Sequence, residues 1–371
     1  MAAAEGSAVR VVLAGGGTGG HVYPSLAVAR ALEDELRARG ERADLLYIGV
    51  RGRIDETIVP REGIAFHAVQ AGPLRVTSPL AFARNALKLQ VGVLQALRIL
   101  RGFRPDAVFA TGGYASVPVG VAARLLRRPL IVYLPDVTPG WAVRLLARLA
   151  TRIAATSERA LAHLPPAKTA VVGYPVRPEF WSTDRAHARV DLGLSGEGRV
   201  LLVTGASLGA RAINEAVFAA LPRLLADWDV MHLTGAGDEA RALARRAALP
   251  EDQRARYHVR GYLDEMASAM CAADLVVGRA GASTLGELPA AGVPAVLVPG
   301  EYEGWSQAPN AAFLESRGAA VMLRNDELHR LADFVESLND ERRGAMAAAA
   351  RALRRPEAAR DLARMLMEAA A

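Results

Sequence analysis

Cysteine is nearly missing from this chain: a single Cys271 among 371 residues rules out an intrachain disulfide and a cysteine-ligated zinc site. It sits in the apolar run AMCAADLVVG, which predicts a buried, unreactive thiol. Lysine is almost as scarce, present only at 88 and 168, so arginine supplies nearly all the cations behind the net charge of +6. A bias of that kind reads as base composition, and no mechanism follows from it. Long apolar runs are missing too: no uninterrupted stretch reaches the roughly 20 residues a bilayer-spanning helix needs. The opening MAAAEGSAVR lacks the basic-then-apolar order of an export leader, and the expectation is a cytosolic protein, soluble or peripheral on a membrane. Apolar residues make up 51% of the chain against 23% charged, which excludes disorder and fibrous repeats, and 371 residues predict two domains rather than one.

The chain carries an internal echo. Residues 10–21 read RVVLAGGGTGGH, and a helical pattern, PSLAVARALEDELRARG, follows from Pro24; from Arg199 the order strand, glycine loop, helix returns in RVLLVTGASLGARAINEAVFAALPRLL. Each is the opening βα unit of a Rossmann-like layer, in which a buried strand leads to a helix N-terminus facing a ligand. Further strands are predicted at 44–49, 106–110, 129–133, 229–234, 274–278 and 294–298, alternating with helices as parallel sheets with right-handed crossovers require. The Pro- and Gly-rich VVGYPVRPEFW, residues 171–181, is the expected hinge. The predicted fold class is therefore α/β, two Rossmann-like domains with parallel sheets facing across a cleft. The first covers 1–174, the second 175–352, and a last helix within 353–371 packs back on the first.

The loop 15–21 formally satisfies G-x-G-x-x-G, so a dinucleotide oxidoreductase is the first reading to weigh. That reading wants an acid at the end of the second strand, where this chain has Tyr47-Ile48-Gly49-Val50-Arg51; Arg51 suits a 2′-phosphate but leaves the second glycine loop unexplained. Glycine-rich turns also follow the strands at 111–114, 204–211 and 278–284, at the carboxyl edge where ligands bind. Backbone N–H groups from two such sheets suit pyrophosphates. Ser283 or Thr284 is expected to cap the next helix, with Glu287 one turn in, placed either to accept from ribose hydroxyls or to lie solvated and steady the helix start. His21 follows the first loop, as a general base or as a histidine that merely hydrogen-bonds backbone. The only D-x-D, Asp227-Trp228-Asp229, reads as a polar turn, and no protein-bound metal is expected.

One segment is lopsided. Residues 63–105 contain no Asp or Glu, yet hold Arg75, Arg84, Lys88, Arg98, Arg101 and Arg104. On a helix through 83–101, Arg84, Lys88, Gln95 and Arg98 form a stripe while Leu87, Leu89, Val93, Leu94, Leu97 and Leu100 cover much of the rest. Such a helix lies on an anionic bilayer or packs as a buried helix with one solvated face.

GGGTGGH at 15–21, GGY at 112–114, GYPVR at 173–177, GASLGAR at 205–211, RAGASTLGELPAAGVPAVLVP at 279–299, and Gln307 with Asn310 occur in the order and spacing of one family. The chain resembles the MurG-type bacterial peptidoglycan N-acetylglucosaminyltransferases, GT-B enzymes of glycosyltransferase family 28. The resemblance implies inverting transfer from UDP-GlcNAc on the C-terminal domain to a polyprenyl-pyrophosphoryl-N-acetylmuramyl-pentapeptide acceptor on the N-terminal domain. It places the protein at the anionic inner-membrane surface, on the cytoplasmic face, with no cofactor and no nucleic acid. It assigns Thr18, Gly19 and Gly20 to the loop beside donor sugar and acceptor, and His21 to the general base. Arg177 and Ser207 fall near the donor diphosphate, Leu263 at the backbone contact to uracil, and Ala282, Ser283, Thr284, Leu285 and Glu287 in the segment holding pyrophosphate and ribose. Gln307 falls near the sugar-recognising position, and Tyr114, Asn214, Arg279 and Asn310 on further family positions. The departures are specific. Tyr133-Leu134-Pro135-Asp136 stands where the family has His-Glu-Gln-Asn, leaving Asp136 as the polar stand-in, and Ala206, Leu208 and Ser306 replace a glycine and two glutamines. Other readings are a different family 28 transferase or a UDP-GlcNAc epimerase on the same fold.

Overall fold

The structure, a computed structural model, describes residues 8–72, 78–205, 209–302 and 305–371. It divides into two compact units, one formed by the chain up to Arg177 with Arg355–Ala371, the other by Pro178–Arg354.

The first unit is built on seven parallel strands: β1 (Ala8–Ala14), β2 (Arg42–Gly49), β3 (Ala65–Ala68), β4 (Ala107–Ala110), β5 (Leu130–Leu134), β6 (Arg152–Ala155) and β7 (Thr169–Val171), in the order β3-β2-β1-β4-β5-β6-β7. Alternation along β1 sorts its side chains. Val11 and Leu13 join a core with Val22, Leu26 and Leu32 of the helix Gly19–Arg37, while Val12 and Ala14 join another with Ala96 and Leu100 of the helix Pro79–Phe103. Because both faces are covered, these strands read as unbroken apolar runs. The helix Ala358–Ala370 closes the unit: Leu362, Ala363 and Leu366 are buried against the first core, and Arg360 and Arg364 pair with Glu35 of the helix Gly19–Arg37 at 3.0 and 3.5 Å.

The second unit has six parallel strands, β8 (Arg199–Thr204), β9 (Trp228–Leu233), β10 (Tyr257–Arg260), β11 (Leu275–Arg279), β12 (Ala295–Val298) and β15 (Ala320–Met322), in the order β10-β9-β8-β11-β12-β15. A short antiparallel hairpin, β13 (Glu301–Tyr302) and β14 (Trp305–Ser306), follows β12. Strand order reverses at β1/β4 and again at β8/β11, and loops leaving such switch points open ligand crevices at the carboxyl edge.

The boundary between the two units, at Arg177 and Pro178, falls inside the stretch 171–181 expected as the hinge, where Val172, Tyr174 and Val176 are buried. Other expectations are corrected. Asp227-Trp228-Asp229 is no polar turn: Trp228 and Asp229 begin β9 and are buried, and Asp229 accepts from Arg256 at 3.1 Å. Cys271 is half-buried, its thiol pushed up by desolvation. On the helix Pro79–Phe103 the core side is the narrow line Asn85, Gly92, Ala96 and Leu100, so Leu87 and Leu94 share the solvent face with Arg84, Lys88 and Arg98 rather than covering the opposite side. Arg75 lies outside the described residues. Among the described residues no helix is long and apolar enough to cross a membrane.

Candidate functional site

In the first unit, the carboxyl edge at β1 and β4 holds two turns in backbone contact. Gly16 and Gly113 have φ of 132° and 77°, and a Cβ on Gly113 would lie 2.5 Å from the Gly16 carbonyl oxygen, so both positions need glycine. Asp55, fully buried in the helix Ile54–Arg61, reaches under this loop: its carboxylate accepts from Val50 N–H at 3.1 Å and Gly17 N–H at 3.4 Å. Thr18 is exposed, Gly19, Gly20 and His21 half-buried.

His21 is fixed by a residue 90 positions away. Its Nδ1 lies 2.8 Å from the Thr111 carbonyl oxygen, an acceptor only, so Nδ1 carries the hydrogen and Nε2 keeps the lone pair. Thr111 Oγ1 and Ser25 Oγ donate to the His21 carbonyl at 2.9 and 3.1 Å. The backbone bond uses one ring nitrogen only, so it does not exclude the base reading, which would use the other. Tyr114 is exposed on the turn after β4, Asp136 is half-buried after β5, and the Arg177 guanidinium stacks 4.8 Å from the Tyr23 ring centre. Tyr133 is core: it is fully buried, its hydroxyl pairs with Thr156 at 2.7 Å and donates to Gly173 at 3.1 Å, and burial pushes its phenol well up.

In the second unit, the turns after β11 and β12 meet. Arg279 donates to the Val298 and Pro299 carbonyls and to Asn325 Oδ1 at 2.9 Å, with burial lowering its pKa. Asn310 donates to the Ala280 carbonyl at 3.0 Å, and Gln307 Oε1 accepts from Gly300 N–H at 2.8 Å. Ala282 and Leu285 are buried. Neither Ser283 nor Thr284 caps the helix Thr284–Ala291 as expected; Thr284 donates back to the Gly281 carbonyl at 2.6 Å, because the turn puts its hydroxyl beside that oxygen. Glu287 is 8% exposed, which removes the solvated-carboxylate alternative. Leu263 is half-buried in the segment after β10, and Ser207 lies outside the described residues.

Asn214, expected at a family position, is held inside the second unit. Fully buried, its amide donates to the Thr234 carbonyl and Asp238 at 2.9 Å each, while its Oδ1 accepts from His232 Nε2 at 3.0 Å. In the neutral imidazole, His232 Nδ1 accepts from the Tyr257 hydroxyl at 2.9 Å, and burial, which disfavours the charged ring, pushes its pKa down to about 4. Unfolded, this histidine titrates near 6.5, so the unfolded chain binds the proton first and stability falls as pH drops from about 6.5 to about 4, by about 3 kcal/mol in all. Urea midpoints at pH 7 and 4.5 test this, and His232→Gln, which keeps a donor toward Asn214, should flatten the difference. An unchanged profile in that variant assigns the acid sensitivity elsewhere.

Residues 11–155 match the glycosyltransferase family 28 N-terminal domain and residues 200–364 the glycosyltransferase family 28 C-terminal domain. The chain belongs to glycosyltransferase family 28. A UDP-N-acetylglucosamine--N-acetylmuramyl-(pentapeptide) pyrophosphoryl-undecaprenol N-acetylglucosamine transferase from Roseiflexus sp. (strain RS-1) is 41% identical to it, across 96% of this chain and 94% of the relative. The crystal structure of Acinetobacter baumannii MurG is similar at a TM-score of 0.73 and 26% identity, covering 97% of this chain and 99% of that one. UDP-GlcNAc 2-epimerase from Neisseria meningitidis, bound to UDP-GlcNAc, shares the fold at a TM-score of 0.67 but only 13% identity, across 98% of this chain and 100% of that one. Family 28 membership makes the chain a glycosyltransferase of GT-B fold and disposes of the oxidoreductase reading.

Two features of this family 28 chain escaped the sequence. Asp55 left a signal, an acid at i−4 from Val59 on the buried face of a helix. The exposed Tyr302 and Trp305, stacked with centroids 5.1 Å apart just before Gln307, left none beyond their type.

Proposed function

We propose that this glycosyltransferase moves N-acetylglucosamine, with inversion, from UDP-GlcNAc to a polyprenyl-pyrophosphoryl-N-acetylmuramyl-pentapeptide. The reading is carried by 41% identity, over nearly the whole of both chains, to a relative named for that transfer. The anchored His21 supplies the chemistry it needs. Nε2 takes the proton from the acceptor hydroxyl as its oxygen attacks the anomeric carbon; the bond from that carbon to the β-phosphate oxygen breaks, and its electron pair leaves on UDP. In the second unit, Gln307 and Asn310 face the sugar, Glu287 holds the ribose, and the 280–284 turn with Arg279 meets the charge growing on the diphosphate. Thr18, Gly19 and Gly20 border the acceptor, with Asp136 as the polar group nearest the departed family motif. Transfer of labelled sugar from UDP-GlcNAc into a panel of polyprenyl-pyrophosphoryl acceptors tests this: label should enter the lipid phase only with the muramyl-peptide acceptor. Turnover of UDP-GlcNAc without any acceptor would instead mark an epimerase.

The same reading places the protein on the cytoplasmic face of the membrane, and the helix Pro79–Phe103 supports it. Leu80, Leu87 and Leu94 are 80%, 59% and 66% exposed on one side, beside exposed Arg84, Lys88, Arg98 and Arg101. Apolar area and cations on one face suit an anionic bilayer, each basic residue near the surface contributing about 1 kcal/mol. Co-sedimentation with vesicles should need anionic lipid, weaken at high salt, and drop about 100-fold or more when Arg84, Lys88 and Arg98 are changed together to Glu. Equal binding to neutral vesicles, or no loss in the triple variant, assigns membrane contact to another surface.

A further inference from the structure

The amino-terminal edge of the second sheet, opposite the turns just described, holds a cavity of about 270 Å³ lined by residues that precede or open β8, β11 and β12 and by the helix Asp340–Ala352. Its walls are small, Ala273, Ala291, Gly292, Gly344 and Ala347, and a Cβ on Gly344 would meet nothing within 4 Å. Its polar lining is mostly arginine. Asp274 accepts from Arg185 and, at 2.7 Å, from Arg189, and also from Val200 N–H at 2.8 Å; Asp340 pairs with Arg199 at 2.8 Å and with Arg343. Arg351, one face along from Arg343, has no ion pair or hydrogen bond from its guanidinium among the described residues.

Two carboxylates, Asp274 and Asp340, therefore answer the four guanidiniums that line the concavity, Arg185, Arg199, Arg343 and Arg351, an excess of two positive charges. A set of salt bridges whose task is only to staple helices to a sheet edge has no use for that excess, because like charges held together oppose folding. A bound anion removes the excess. Guanidinium forks match the paired oxygens of phosphate, and the space admits a diphosphate. None of the large exposed apolar residues lines the opening, which argues against a lipid surface.

We propose that this cavity is a second anion site, taking a soluble diphosphate-bearing molecule at the opposite edge from the donor turns. It does not depend on which acceptor the enzyme uses. The test is calorimetry of the full chain with inorganic pyrophosphate in excess UDP, which occupies the diphosphate subsite at the carboxyl edge. One pyrophosphate per chain should bind. Arg351→Glu, which breaks no hydrogen bond or ion pair, should weaken it at least tenfold, and Gly344→Leu, which fills the space without changing charge, should abolish it. Arg39→Glu, an exposed change of the same net charge in the first unit, should leave it intact, and UDP affinity should be unchanged in every variant. The site is refuted if the UDP-saturated protein takes up no pyrophosphate, or if Arg39→Glu weakens binding as much as Arg351→Glu. Full affinity in Arg351→Glu refutes it even where Gly344→Leu fails to fold, as does capture by anionic vesicles in place of pyrophosphate.

Discussion

His21→Ala should lower turnover by about 10²- to 10⁴-fold, the usual contribution of a positioned general base, and leave UDP affinity where it was. The size of the effect follows from how the ring is held. With Nδ1–H donated to the Thr111 carbonyl at 2.8 Å, the imidazole has one tautomer and one orientation, and Nε2 is the basic nitrogen in every molecule. A purely structural histidine would respond differently to a second substitution. Asparagine places an amide N–H near where Nδ1 stood, so His21→Asn preserves the donor to Thr111 while removing the base. Restored turnover in His21→Asn would show that only the anchoring bond matters, and Asp136 would become the next residue to test as base. Turnover as low as in His21→Ala, with Tm near wild type, assigns the proton transfer to Nε2.

Asp55→Ala is expected to cost about 3 kcal/mol of stability and about 100-fold in turnover. Removing the carboxylate leaves the N–H groups of Val50 and Gly17 without their acceptor, and an unsatisfied buried donor costs about 1–3 kcal/mol. The kinetic loss arises because the loop that Asp55 holds leads straight into Thr18 and His21, and a shift of about 1 Å in a catalytic group costs about 100-fold. The fit is tight: a Cβ on Gly16 would come within 2.5 Å of the Asp55 carboxylate. Asp55→Asn, which keeps one acceptor oxygen, should fall between. Urea unfolding and turnover at saturating UDP-GlcNAc measure the two effects; wild-type stability and turnover in Asp55→Ala would dismiss the role.

The amino-acid sequence by itself determined the two Rossmann-like layers and the family. Buried parallel strands must be apolar throughout, and a chain turning from strand to helix beside a phosphate needs glycine, so 10–21 and 199–211 announce themselves within a dozen residues. The short strands β3, β6, β7, β10 and β15 were not legible, because three or four residues at or near a sheet margin carry no period of their own. Tertiary structure alone decided how the candidate side chains are held. Which nitrogen of His21 bears the proton depends on a carbonyl 90 residues away. Whether Asn214 meets ligand or scaffold depends on Thr234, His232 and Asp238. Whether Leu87 and Leu94 are core or surface depends on which face of their helix the sheet covers. Local pattern reports backbone preference and burial on average, whereas a tautomer, a hydrogen-bond partner or an exposed face is set by atoms the chain brings together only on folding.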